Sequence, residues 1–241
     1  MLAAAERAGY LPRVPPIVAI DGPAGAGKST VARELARRLG FSMIDTGAIY
    51  RSVALSARRA GISWDDDEGL RRLLDAGLGV TFLPVPRAEQ RVLLHGQDIS
   101  AAIRTPEISR GASVVSARKV VREKLLGLQR QLGSATTRGA VLEGRDIGTV
   151  VFPEATVKFF LTASDEARAQ RRHSELSEKG LQVPFLEVLT DQRRRDKDDM
   201  ERELAPLKPA PDALLVDTTG LDLAEVVERC FKLAEGRLAG G

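Results

Sequence analysis

The stretch that most constrains this chain is Gly22-Pro23-Ala24-Gly25-Ala26-Gly27-Lys28-Ser29. Before it stands Ile17-Val18-Ala19-Ile20-Asp21, a continuous, largely β-branched run that predicts a strand buried on both faces. After it comes a segment in which Val31, Leu35 and Leu39 recur every four residues and Gly40 supplies a stop, which predicts a helix. Strand, Gly-rich turn and helix form the context that G-x-x-x-x-G-K-[ST] requires. Glycines let the backbone wrap a polyphosphate closely, with its N–H groups turned inward and the helix N-terminus adding positive potential. Lys28 has the reach for the β- and γ-phosphates, and the Ser29 hydroxyl suits Mg²⁺. The octapeptide and Thr30 are therefore the expected site for a nucleoside triphosphate, ATP with Mg²⁺. The plainer alternative, a glycine-rich connector, is disfavoured by the two flanking elements.

Composition narrows the partners. A chain of 241 residues, 43% hydrophobic and 29% charged, has an ordinary soluble composition and the length for one domain with insertions. No apolar run approaches the ~20 residues of a membrane helix, so no membrane partner is expected. Residues 1–16 carry Glu6, Arg7 and Arg13 without a sustained apolar core, unlike a secretory signal. The lone Cys230 excludes a disulfide framework and suits a reducing cytoplasm; with only His95 and His173 beside it, a zinc site is not expected. Aromatics at 4% are too few for base-stacking platforms, which argues against nucleic acid. Arginine outnumbers lysine 28 to 8. Arg suits bidentate phosphate recognition, although codon preference explains most such excesses.

Along the chain, residues 1–15 are expected to be a flexible leader and 16–241 a single nucleotide-binding domain. Strands are predicted at Phe41–Asp45, Ala140–Glu143, Val157–Leu161 and Ala213–Asp217. Helices are predicted from Thr46 (as N-cap) to Arg59, Glu166 to Lys179, Phe185 to Leu204 and Leu223 to Leu238, the last with Val226, Val227, Phe231 and Leu233 inward. Alternating strands and helices argue a parallel sheet covered on both faces, with ligands at the strand C-termini. Residues 62–103 break this pattern: an acidic helix start at Trp64–Glu68 and short strands around Val80–Leu83 and Arg91–Leu94 read as a small mixed α/β insertion. From Pro106 the chain is helical again, up to Gly139.

Beyond the loop, four clusters suggest chemistry. Asp45-Thr46-Gly47-Ala48-Ile49-Tyr50-Arg51 and Glu143-Gly144-Arg145-Asp146-Ile147-Gly148-Thr149 each follow a strand, and Glu143 closes a buried one, where a carboxylate orients Mg²⁺ or its waters. The helix after the third strand carries Arg168, Arg171 and Arg172; Arg168 and Arg172 share a face, so either Glu175 and Glu178 or an anion must neutralise them. Arg195, Asp199 and Arg202 form one predicted helical stripe. For both helices a solvated, salt-bridged face explains the pattern equally well.

Together these clusters resemble the bacterial cytidylate kinase family, nucleoside monophosphate kinases acting on CMP and dCMP. The resemblance spans nearly everything after Pro15. It rests on the octapeptide, on Asp45–Arg51, on Gly144-Arg145-Asp146-Ile147-Gly148-Thr149-Val150-Val151-Phe152-Pro153, and on Arg195-Asp196-Lys197-Asp198-Asp199 with Arg202 and Ala205-Pro206-Leu207. It implies an α/β P-loop fold with a helical lid near residues 165–182 and a monophosphate-binding insertion at 62–103. It also implies that Thr46, Ser113, Arg122 and Asp146 line the cytosine and monophosphate pocket. Arg51, Arg145 and Arg202 would clamp phosphate, and Arg195 and Asp199 would contact the sugar. Lys28, Arg145, Arg202 and the lid's Arg172 are the catalytic residues this implies, with Ser29 and Glu143 at the metal. Glu143 stands where many relatives have Asp, giving the carboxylate a longer reach, and Thr46 where some have Ser. A monomer in the cytoplasm is expected. A UMP kinase, a kinase of a non-nucleotide alcohol and a nucleotide-operated switch remain the alternatives.

Overall fold

A computed structural model describes residues 15–83, 85, 90–178 and 180–239. The leader up to residue 14, most of the loop with Pro84 and Pro86, and the expected helix end at Lys179 lie outside the described residues.

Five parallel strands form the central sheet in the order β2-β6-β1-β7-β8: β1 Ile17–Asp21, β2 Ser42–Asp45, β6 Ala140–Glu143, β7 Val157–Thr162 and β8 Leu214–Asp217. Pairing runs Ile17 with Ala140 and Val18 with Val157, so β1 is central and its neighbours come from far along the chain. All five residues of β1 are buried, as a strand covered on both faces requires. Its side chains alternate: Val18 and Ile20 pack toward Val31, Leu35, Val226 and Cys230, whereas Ile17 and Ala19 pack toward Ile44, Leu142 and Ile147. The first layer is formed by α1 Lys28–Leu39 and α8 Leu223–Ala239. Inside α8 the small side chains of Cys230 and Ala234 take the inner positions, and Leu233, expected inward, is 37% exposed.

A second core gathers residues between Ala48 and Leu125, well beyond the expected bounds of 62–103. It joins Ile49 and Val53 of α2 (Thr46–Arg59), Leu70 of α3 (Asp67–Asp75) and Val92 and Leu94 of β4 (Arg91–Leu94). Val115 of α4 (Pro106–Ala117) and Val121 and Leu125 of α5 (Lys119–Ser134) complete it. β3 (Val80–Leu83), β4 and β5 (Gln97–Asp98) make a three-stranded antiparallel sheet. An extended Arg118 separates α4 from α5 and turns Arg122 into the protein.

Local chemistry explains the boundaries. Asp45, not Thr46, caps α2: its carboxylate accepts from the Ala48 N–H at 2.9 Å, and Thr46 is the first helical residue. Asp66 caps α3 in the same way, and Thr105 with Pro106 opens α4. α6 spans Asp165–Glu178, with the Ser164 hydroxyl accepting from the Ala167 N–H, and α7 spans Phe185–Glu201. These two helices form a hairpin with its own small core of Ala169, Leu176, Val188 and Leu189. α7 ends before Arg202, which is extended (φ −61°, ψ 139°), so the expected stripe of Arg195, Asp199 and Arg202 is helical only over its first two members. The Leu207 N–H donates to the Asp199 carbonyl, and the Arg202 Nε donates to the Ala205 carbonyl; together these fold the chain back there. Among the described residues no helix is long and apolar enough to cross a membrane.

Candidate active site

At the C-terminal edge of the parallel sheet lies a cleft of ≈ 770 Å³. One end is lined by Ala24–Val31, Arg171, Thr218, Leu221 and Val226, and the rest by segments around Asp45, Ser113, Arg122, Glu143–Asp146, Arg172, Arg195, Asp199 and Arg202. Every site residue expected from the sequence lines this cleft except Gly22 and Pro23. Gly22 serves close approach instead: at φ +145°, a Cβ there would stand 2.0 Å from the Leu161 carbonyl oxygen. Pro23 lends its carbonyl to the Lys28 ammonium at 2.7 Å. The α1 N-terminus starts at Gly27 (φ +87°) with no side-chain cap and no acidic residue in its first turn, which leaves a positive helix end facing the cleft.

Two buried groups meet beside that helix end. Burial, and then Arg145, pull the Lys28 ammonium down to about 7. Burial, and then Asp45, push the Glu143 carboxyl up to about 7. Glu143 Oε2 accepts from the Ser29 hydroxyl at 2.9 Å, while its buried Oε1 has no partner among the described residues. A buried oxygen left open beside a hydroxyl is a fit for a hard cation. Among the described residues no cluster of three or more His, Cys, Asp or Glu could hold a metal by itself. That sparse donor set suits Mg²⁺, which keeps several waters and shares its remaining sites with phosphates.

The opposite wall is cationic. Arg51 pairs with Asp45 at 2.7 Å, Arg145 with Asp199 at 2.8 Å, and Arg202 Nη1 lies 3.5 Å from Asp199. Arg51 Nε, Arg195 Nε and Arg202 Nη2 are nevertheless buried donors without a hydrogen-bond acceptor among the described residues. Such a donor costs about 1–3 kcal/mol unless something accepts it, and an anion is the natural partner. Deeper in, Asp146 Oδ2 accepts from Arg122 at 3.1 Å, and Oδ1 sits 3.9 Å from Arg202. Burial raises the Asp146 carboxyl, against the pull of Arg122 and Arg202. Arg122 also donates to the Tyr50 hydroxyl at 3.0 Å. Ser113 joins this wall from α4, its hydroxyl bonded back to the Ser109 carbonyl.

The arginines of α6 separate. Arg172 lines the cleft and pairs with Glu175 at 3.0 Å, whereas Arg168 is buried against Asp165 and Asp196. Neutralisation of Arg168 thus comes partly from another helix. Three further contributors were not assigned from the sequence. The Asp21 carboxylate, raised to about 6 by burial, accepts from the Ile147 and Gly148 amides at 2.8 and 2.7 Å and so seats the turn bearing Arg145 and Asp146. Directly after Asp146, the segment Ile147–Val151 is wound with i→i+5 bonds. Tyr50 orients Arg122, and Arg171 grips the Thr218 hydroxyl and carbonyl at 2.9 and 2.7 Å. Asp21 directly before the glycine loop, Tyr50 within the Asp45–Arg51 cluster and Arg171 beside Arg172 are each marked by position in the sequence, but the contacts they make need the fold.

A parallel sheet of this order, with a Gly-rich loop between β1 and α1 and a second, arginine-lined wall, defines a P-loop phosphotransferase. Residues 18–236 match the profile of the family described as cytidylate kinase. The chain is 52% identical over 225 residues to the cytidylate kinase of Geobacter sp. (strain M21), covering 93% of this chain and 95% of that one. It is 44% identical over 222 residues to the cytidylate kinase of Pasteurella multocida (strain Pm70), covering 92% and 96%. A solved structure of an uncharacterised protein from Eubacterium ventriosum ATCC 27560 shares the fold at a TM-score of 0.51 and 12% identity, over 92% of this chain and 98% of that one. The chain belongs to the cytidylate kinase family.

Proposed function

We infer that this protein transfers the γ-phosphoryl group of ATP to CMP or dCMP, giving ADP with CDP or dCDP. Family membership and the two-walled cleft support the reading, and the observation that carries it is the set of orphaned arginine donors facing the nucleotide loop. A nucleoside monophosphate is already anionic near neutral pH, because its second pKa is about 6, so the acceptor needs no strong base. What the reaction needs is two anionic phosphates held in line and their charge dispersed.

The loop Gly22–Thr30 would hold the ATP phosphates, with the Lys28 ammonium leaving the Pro23 carbonyl for the transferring group, whose negative charge favours its protonated form. Ser29 and Glu143 would hold Mg²⁺, which neutralises charge on the phosphates when bound. Arg51, Arg145 and Arg202 would clamp the acceptor phosphate, with Arg172 approaching from α6. Asp146 would accept from the cytosine amino group while Arg122, set by Tyr50, and Ser113 and Thr46 meet the rest of the pocket. Arg195 and Asp199 would face the sugar. The region of residues 62–103 then serves as the monophosphate-binding unit, and the outer part of the α6–α7 hairpin as a lid that excludes water. A single chain supplies the whole cleft, so a monomer suffices. A buried lone thiol and soluble substrates fit the cytoplasm.

Incubation with ATP, Mg²⁺ and CMP is expected to yield CDP and ADP in equal amounts, and excess EDTA should slow this by roughly a thousandfold or more. Undiminished turnover in EDTA would contradict the role of Ser29 and Glu143; absence of CDP would contradict the reaction.

A further inference from the structure

The buried ion pair between Arg168 on α6 and Asp196 on α7 is not part of the phosphate clamp above, yet it touches the nucleotide loop twice. Asp196 Oδ1 accepts from the Ala24 N–H at 3.2 Å, and Arg168 Nη1 donates to the Ala24 carbonyl at 2.8 Å. Both faces of one loop residue are thus held by the two members of one pair, each only 4% exposed. The other Arg168 nitrogens are engaged as well, Nε with the Ala163 carbonyl at 3.0 Å and Nη2 with Asp165 at 2.6 Å. Arg168 therefore differs from Arg51, Arg195 and Arg202, each of which keeps a buried donor without a hydrogen-bond acceptor among the described residues.

Gly25 shows how tightly the loop lies on this hairpin. At φ +74°, a Cβ there would stand 3.0 Å from both Arg168 Cβ and the Arg168 carbonyl oxygen, and 3.2 Å from the buried Gln192 Oε1. Burying two charges recovers little net stability, because desolvation offsets most of their attraction. What such a pair supplies is geometry. We propose that Arg168 and Asp196 are positioning residues that set the Ala24 peptide, and with it the curvature of the phosphate loop, for the triphosphate. The same contacts anchor the base of the α6–α7 hairpin to the loop, so motion of the hairpin is confined to the part beyond Arg168 and before Asp196. This rests on the reading that the loop takes ATP.

The test is calorimetric titration of the wild-type protein and of Asp196→Asn, each with a non-hydrolysable ATP analogue plus Mg²⁺ and, separately, with CMP. The substitution keeps the side-chain shape and an acceptor for Ala24 but turns a donor on Arg168. The expected result is that Asp196→Asn weakens the analogue by about tenfold or more and CMP by less than about twofold. Equal losses for both ligands would mean a merely structural pair, and no loss for the analogue would likewise overturn the proposal. A wild-type protein that binds no analogue would refute the ATP reading, and this inference with it. Amide exchange in the unliganded wild-type protein tests the same contact without a variant. The Ala24 amide is expected to exchange at least about tenfold more slowly than those of Gly25 and Gly27; equal rates would overturn the proposal even if Asp196→Asn failed to fold.

Discussion

In the proposed reaction Glu143 trades stability for function within a single residue. Its carboxyl, ordinarily near 4.5, is pushed up to about 7, chiefly by burial. A folded-state acid with a raised pKa holds its proton where the unfolded chain has released it, so stability falls as pH rises from about 4.5 to about 7. Glu143→Gln keeps an acceptor for the Ser29 hydroxyl and removes that slope. The variant is expected to melt higher than the wild type at pH 8, by about 3 °C or more, with little difference at pH 5. Its kcat/KM with Mg²⁺ should fall at least about tenfold, because a carboxamide is a poor magnesium ligand. Thermal melts at the two pH values decide it: a difference that is constant, or larger at pH 5, contradicts the assignment. The same tension runs through Arg51, Arg195 and Arg202, whose donors without acceptors among the described residues weaken the fold and, in the proposed reaction, await an anion.

At the level of elements, the turn between β1 and α1 is built from glycines with different duties. Gly22 lies against the Leu161 carbonyl of β7, whereas Gly27, at φ +87°, has open space where a Cβ would go. Gly22→Ala should therefore cost about 3–5 kcal/mol and lower the melting temperature by on the order of 10 °C. Gly27→Ala should cost only the backbone strain of about 1–2 kcal/mol. Similar losses in denaturant titrations would contradict this division. The turn was legible in the sequence because its signals are short-range: a β-branched run, glycines and a helical period within some twenty residues. Short-range signals also misled. Thr46 has a hydroxyl suited to capping, but Asp45 stands one residue nearer the strand and takes the Ala48 N–H, freeing the Thr46 hydroxyl to donate to the Glu143 carbonyl. Arg202 continues the helical spacing of Arg195 and Asp199, yet the return of the chain at Ala205 and Leu207 ends α7 first.

For the molecule as a whole, the parallel sheet and its two helical layers could be expected from alternating strands and helices, and the structure has them. The strand order could not be read from pattern, since it depends on which buried faces meet. The grouping of the Asp45–Arg51 and Glu143–Thr149 clusters with the glycine loop was legible because each follows a strand, and the C-terminal ends of parallel strands lie together; Ser113, Arg122 and the Arg195–Arg202 stretch lie on or directly after helices and were legible only through the family resemblance. Contacts that bridge distant segments left no local trace: Asp21 with Ile147, and Arg168 with Ala24 and Asp196. Nor does the pattern separate Arg168, which turns inward, from Arg172 one turn on, which lines the cleft. The claim that joins these scales is that the arginine-lined wall selects a cytosine monophosphate as acceptor for ATP. The most direct measurement is ADP release from ATP·Mg²⁺ with CMP, dCMP, UMP, AMP and GMP, compared as kcat/KM. CMP and dCMP are expected to exceed the other three by about a hundredfold or more, as befits a pocket whose buried polar groups the wrong base leaves unpaired. Turnover led by UMP or AMP, or ADP release indifferent to any acceptor, would contradict the account.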